Sequence, residues 1–198
     1  MTPHPSGLTF WQLVRADIEA TTHPNFRLYS TGRFWTRAAL KLLVSSNVRV
    51  VVTYRIANAL ARRGVLPAAL FLRERGIRKS GAELNPLATI GPGLYLAHGI
   101  GVGVGAYVTI GKNCTLHLGS VLGPQAHGAG EGPHTPQPTI IGDNVFIGTH
   151  AVIVGGITVG DNAVIGANAV VLRDVEPNTV VSASPARVVG QRAVTTGE

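Results

Sequence analysis

The chain has 198 residues, enough for one domain with a real core or for a compact helical part fused to a repeat part. Its single cysteine, Cys114, excludes an intrachain disulfide and a cysteine metal cluster built from one chain, and fits a reducing, cytoplasmic setting. The net charge of +7 is unevenly spread: residues 1–82 hold thirteen Lys/Arg against three acids, and the remainder four against seven. A basic first part suggests an acidic partner, or more simply a solvated or subunit-facing surface, and no motif points to nucleic acid.

Residues 1–15 lack the basic start and continuous apolar run of a secretory signal; Phe10, Leu13, Val14 and Ile18 follow amphipathic helix spacing instead. Helical patterning is predicted over 8–79, with segments at 38–44, at 48–63 stopped by Gly64, and at 67–78. The most apolar stretch, 38–60, is interrupted by Lys41, Arg49 and Arg55, which makes it a poor membrane span.

From Leu84 onward, helix periodicity gives way to a period of six. Ile141, Ile147, Ile153, Val159, Ile165 and Val171 are each six apart, and two places before them stand Thr139, Val145, Ala151, Ile157, Ala163 and Ala169. The register begins earlier, at Ile110, Leu116 and Leu122. Nineteen residues separate Leu122 from Ile141, so thirteen must leave the coil as a loop. A six-residue repeat with apolar inward positions describes a parallel β-helix, in which short strands each bury one side chain and stack on the next coil. Gly142, Gly148, Gly160 and Gly166 fall where backbone must pass close to backbone. Cys114 takes an inward position, as a small core residue. The predicted organisation is α+β: a helical region at 1–82, a β-helix at 83–190 with an extended loop at 123–138, and a tail at 191–198.

Tyr29-Ser30-Thr31, Tyr54-Arg55-Ile56-Ala57, Ile90-Gly91-Pro92-Gly93, His98-Gly99, Ile141-Gly142-Asp143-Asn144, Ile165-Gly166-Ala167-Asn168 and Pro185-Ala186-Arg187 together resemble the hexapeptide-repeat acyltransferases, and within them the serine O-acetyltransferase branch. The resemblance implies a left-handed β-helix, trimers or dimers of trimers, and an acetyl-CoA site between coils with no metal. It also implies that His98 takes the acceptor's hydroxyl proton and returns it to the departing thiolate, work for which imidazole chemistry is suited near neutral pH. Glu83, fifteen residues upstream, stands where the family usually has the aspartate that orients this histidine; with coils of roughly eighteen residues the two are expected near each other on adjacent coils. For coenzyme A the implied residues are Gly123, Gly148, Thr149, Gly166 and Ala167, with Arg187 and Arg192 as phosphate contacts. His117 and His150 are expected at the surface or a subunit interface.

Three departures bear on the acceptor. Ala97 stands where the serine enzymes have an aspartate, the segment holding His23 and Arg27 is basic where they are acidic, and Pro136-Gln137-Pro138 replaces an Arg-His-Pro segment, leaving His134 or His127 as substitutes from the loop. A free amino acid would lose charge-assisted hydrogen bonds of about 1.5–3 kcal/mol each. The expectation is an acetyl-CoA-dependent O-acetyltransferase whose acceptor is a sugar or another small molecule rather than free L-serine. Alternatives are an acyltransferase served by an acidic carrier protein, a true serine acetyltransferase, and a non-catalytic trimeric scaffold, against which retention of Glu83 and His98 argues.

Overall fold

The computed structural model describes residues 4–21, 31–124 and 137–183. Four helices come first: α1 (Phe10–Ala20), α2 (Thr31–Val44), α3 (Ser46–Arg62) and α4 (Leu66–Ser80). Their ends follow from local chemistry. Thr9 and Gln12 form a reciprocal capping box on α1, Ser45 accepts from the Val48 N–H at the start of α3, and Gly81, at φ 68°, closes α4 in the left-handed region. Val14, Ile18, Phe34, Ala38 and Val48 form the helices' own core. No helix among the described residues is long and apolar enough to cross a membrane.

The remaining chain winds as a left-handed parallel β-helix with three faces. The first carries β1 (Glu83–Leu84), β4 (Gly103–Val104), β7 (Val121–Gly123), β10 (Val152–Val154) and β13 (Val170–Val171). The second carries β2 (Thr89–Ile90), β5 (Val108–Ile110), β8 (Thr139–Ile141) and β11 (Thr158–Val159), and the third β3 (Tyr95–Ala97), β6 (Thr115–His117), β9 (Phe146–Ile147), β12 (Val164–Ile165) and β14 (Val180–Val181). Every six-spaced aliphatic residue named above is buried, and the inner positions between them are filled by small or branched residues, Cys114 among them. Burial pushes the Cys114 thiol up to about 11, as suits a core residue and not a nucleophile. Thr139, the polar exception in the inward series from 139 to 171, is 0% exposed and donates its hydroxyl towards the carbonyls of Gly123 (3.0 Å) and Gly155 (2.7 Å).

The expected close approaches at the corner glycines are present: a Cβ on Gly148 would lie 2.6 Å from the Ala167 nitrogen. Left-handed conformation, however, falls at one edge on asparagines rather than on these glycines. Asn113, Asn144, Asn162 and Asn178 all have φ of 56–59° and stack along one edge, each amide donating to the next at 3.3, 3.1 and 3.0 Å. Asparagine tolerates this region best among residues with a side chain, and the ladder adds hydrogen bonds that glycine cannot.

The first coil is fastened to the helices from below. Arg55 of α3 donates to Asp17 of α1 at 2.7 and 3.0 Å and to the carbonyls of Ile90 and Gly91, both at 2.6 Å. Asp17 in turn accepts the Gly93 and Leu94 N–H groups. Tyr54 donates to the Ala88 carbonyl and Asn58 to those of Pro86 and Ala88. These side chains occupy carbonyls that the outermost coil would otherwise leave unpaired.

Candidate active site

Inward positions recur every six residues from Leu84 to Leu96, but Leu96 and Val104 are eight apart. The two additional residues lie at the edge where the third face gives way to the first, and His98 stands there with φ 64°. A non-glycine residue in the left-handed region is a departure that the surroundings must support. Here the support comes from α3: Asn47 Oδ1 accepts the Gly99 N–H at 3.0 Å. The His98 side chain is exposed and engages in no hydrogen bond or ion pair among the described residues, while Ala97 before it is 7% exposed.

Register assigns what stacks above. Ala97 pairs with His117, and Leu116 pairs with Ile147, which pairs with Ile165. The edge therefore runs upward from Ala97 through His117-Leu118 and Gly148-Thr149 to Gly166-Ala167; Ile100, whose carbonyl accepts the Gly119 N–H at 3.0 Å, continues it below Leu118, and His98-Gly99 are the residues that bulge from it. Ala167 is exposed and Thr149 half-buried; neither N–H enters a backbone hydrogen bond, and the Thr149 hydroxyl has no partner among the described residues. An edge kept narrow by glycines and lined by open N–H donors fits an extended chain carrying amide and phosphoryl acceptors, which is the chemistry of a coenzyme A arm. Gly123 does not join this edge. It pairs with Val154 at the far end of the first face, where a Cβ would meet nothing within 4 Å.

Glu83 and His98 were expected on adjacent coils. The structure puts both on the first coil, which takes twenty residues from Glu83 to its partner Gly103 because of the two inserted at the edge. No hydrogen bond joins them; the Glu83 carboxylate accepts instead from Arg73 of α4, through Nε at 3.1 Å and through Nη2. His23, Arg27, His134, Arg187 and Arg192 lie outside the described residues. His117 lies against the Phe146 ring, centroids 4.7 Å apart, and exposed His150 covers Gly119, both in keeping with surface roles. Sequence reasoning missed Asn47 and Arg73, whose partners are 52 and 10 residues away in the chain.

Residues 138–173 match the family model described as the hexapeptide repeat of succinyl-transferase. The serine acetyltransferase of Helicobacter pylori is 36% identical over 148 residues, covering 75% of this chain and 84% of its own length. The chain belongs to the serine acetyltransferase branch of the hexapeptide-repeat acyltransferases. Among solved structures of that branch, the soybean enzyme complexed with serine superposes with a TM-score of 0.71 at 31% identity, covering 91% of this chain and 69% of that one. A serine acetyltransferase in complex with CoA gives 0.72 at 27% identity, covering 91% and 69%. Serine acetyltransferase relatives thus share the helical prefix as well as the coils, since coverage of this length extends well beyond the repeats.

Proposed function

We propose that this protein transfers an acetyl group from acetyl-CoA to the hydroxyl of a small acceptor, with His98 as general base and L-serine as the first acceptor to consider. The observation that carries the reading is the edge on which an exposed histidine, held out of the coil by two additional residues, stands below the open N–H groups of Thr149 and Ala167. The thioester supplies the acyl group and the leaving thiolate. His98 takes the hydroxyl proton as the acceptor oxygen attacks the carbonyl and returns it to the departing sulfur. Gly148, Thr149, Gly166 and Ala167 hold the donor along the edge; Glu83, kept in place by Arg73, supplies negative charge on the same coil. Outward-facing Val170, Leu172 and Val180, the last 72% exposed, support association into trimers through the β-helix.

The names of the relatives, and the serine-bound soybean enzyme, favour free serine over the acceptor expected from the sequence. A second reading keeps the same base and donor but takes a neutral hydroxyl acceptor, and rests on Ala97: a buried methyl beside His98 cannot pair with an ammonium group. Thiol release from acetyl-CoA, with products identified by mass spectrometry, separates the two. O-acetylserine formed faster than any ester of a sugar or uncharged alcohol supports serine; turnover confined to uncharged acceptors overturns it in favour of the second reading.

A further inference from the structure

One side chain of the helical prefix bonds the backbone beside the proposed base. Asn47 lies in the first turn of α3, half-buried, and its Oδ1 accepts the N–H of Gly99, the residue after His98. Three observations make this more than a surface bond. His98 stands at φ 64°, a conformation that an L-residue with a side chain adopts rarely and keeps only when held. The His98-Gly99 segment lies in the eight-residue stretch between inward Leu96 and Val104, where the coil has two residues more than its repeat. A side chain on Gly99 would also crowd Asn47, since its Cβ would lie 3.1 Å from Oδ1.

We infer that Asn47 is a positioning residue for catalysis: by accepting the Gly99 N–H it fixes the backbone on which His98 stands, so that the helical prefix sets the direction of the imidazole along the edge. Asn47 itself touches no reacting atom. The inference rests on His98 being the base. A displacement of the order of 1 Å in such a group costs about a hundredfold in rate, and the effect falls on turnover, because the residues proposed to hold the donor lie on higher coils.

The test compares steady-state kinetics of wild type, Asn47→Ala, Asn47→Asp and His98→Ala in the full chain, with acetyl-CoA and whichever acceptor gives turnover. The expected result is a fall in kcat of tenfold or more in Asn47→Ala, KM for acetyl-CoA within twofold of wild type, and recovery of most of kcat in Asn47→Asp, which retains an acceptor oxygen. A kcat within twofold of wild type in Asn47→Ala, while His98→Ala is inactive, overturns the inference. An active His98→Ala refutes the reading beneath it instead. Should Asn47→Ala fail to fold, Asn47→Gln decides the matter: it keeps the amide but displaces the oxygen by one methylene, and wild-type kcat in that folded variant would equally overturn the role.

Discussion

Arg55 and Asp17 have side chains only 1% and 3% exposed, and between them they engage each other, two carbonyls and two N–H groups of the first coil. Removing one partner of such a pair strands a buried charge, which costs about 3–5 kcal/mol. Arg55→Leu should therefore lower unfolding stability by that amount in urea titration, whereas a loss below 1 kcal/mol would show that the pair is dispensable. His4 presents the opposite case, a buried group kept neutral. Burial, aided by the positive charges of Arg55 and Arg62, lowers its pKa from 6.5 to about 4, and its Nδ1 lies 2.7 Å from the Ser6 hydroxyl. Between pH 6.5 and about 4 the unfolded chain binds a proton at His4 that the folded chain does not, so this group's contribution is intact above 6.5 and is lost as pH falls through that window. Melting temperature measured from pH 7 to 4 should fall less steeply in His4→Gln than in wild type; parallel curves would show that His4 does not contribute.

At the scale of elements, the asparagine ladder accounts for one edge of the β-helix. Asn144 sits in its middle, donating to Asn162 and accepting from Asn113. Asn144→Ala loses both bonds and keeps the left-handed strain, about 1–2 kcal/mol for the backbone and 0.5–1.5 for each bond. Asn144→Gly relieves the strain and should cost less than alanine. Equal losses in the two variants by chemical denaturation would mean that φ at this corner is immaterial. Asparagine recurs in the chain as Gly-Lys-Asn113, Gly-Asp-Asn144 and Gly-Asp-Asn162, although propensity alone ranks glycine first at positive φ. Packing changed the order along this edge: Gly111 and Gly142 are needed where coils approach within a Cβ's reach, and Asn113 and Asn144 where the backbone turns.

Across the whole molecule, legibility follows the range of the interactions. The interior of the β-helix depends on residues six apart, so the period of Ile141 to Val171 was sufficient to derive buried positions and coil stacking. The break of eight between Leu96 and Val104 marks the bulge at His98 in the same way. Asn47 and Arg73 were not legible, because their partners are chosen by how α3 and α4 lie against the first coil and no local pattern encodes that. The same distance effect explains Glu83: spacing from His98 predicted adjacent coils, whereas both lie on the first coil, and it could not predict the arginine that takes the carboxylate. His98, at the bulge beside the edge of Gly148, Thr149, Gly166 and Ala167, is the proposed base for acetyl transfer. The most direct test of that role is thiol release from acetyl-CoA by wild type and by a folded His98→Ala variant, each with its KM for acetyl-CoA. Loss of turnover by a factor of about a hundred or more, with donor binding retained, is the predicted result; undiminished turnover in His98→Ala would contradict the account.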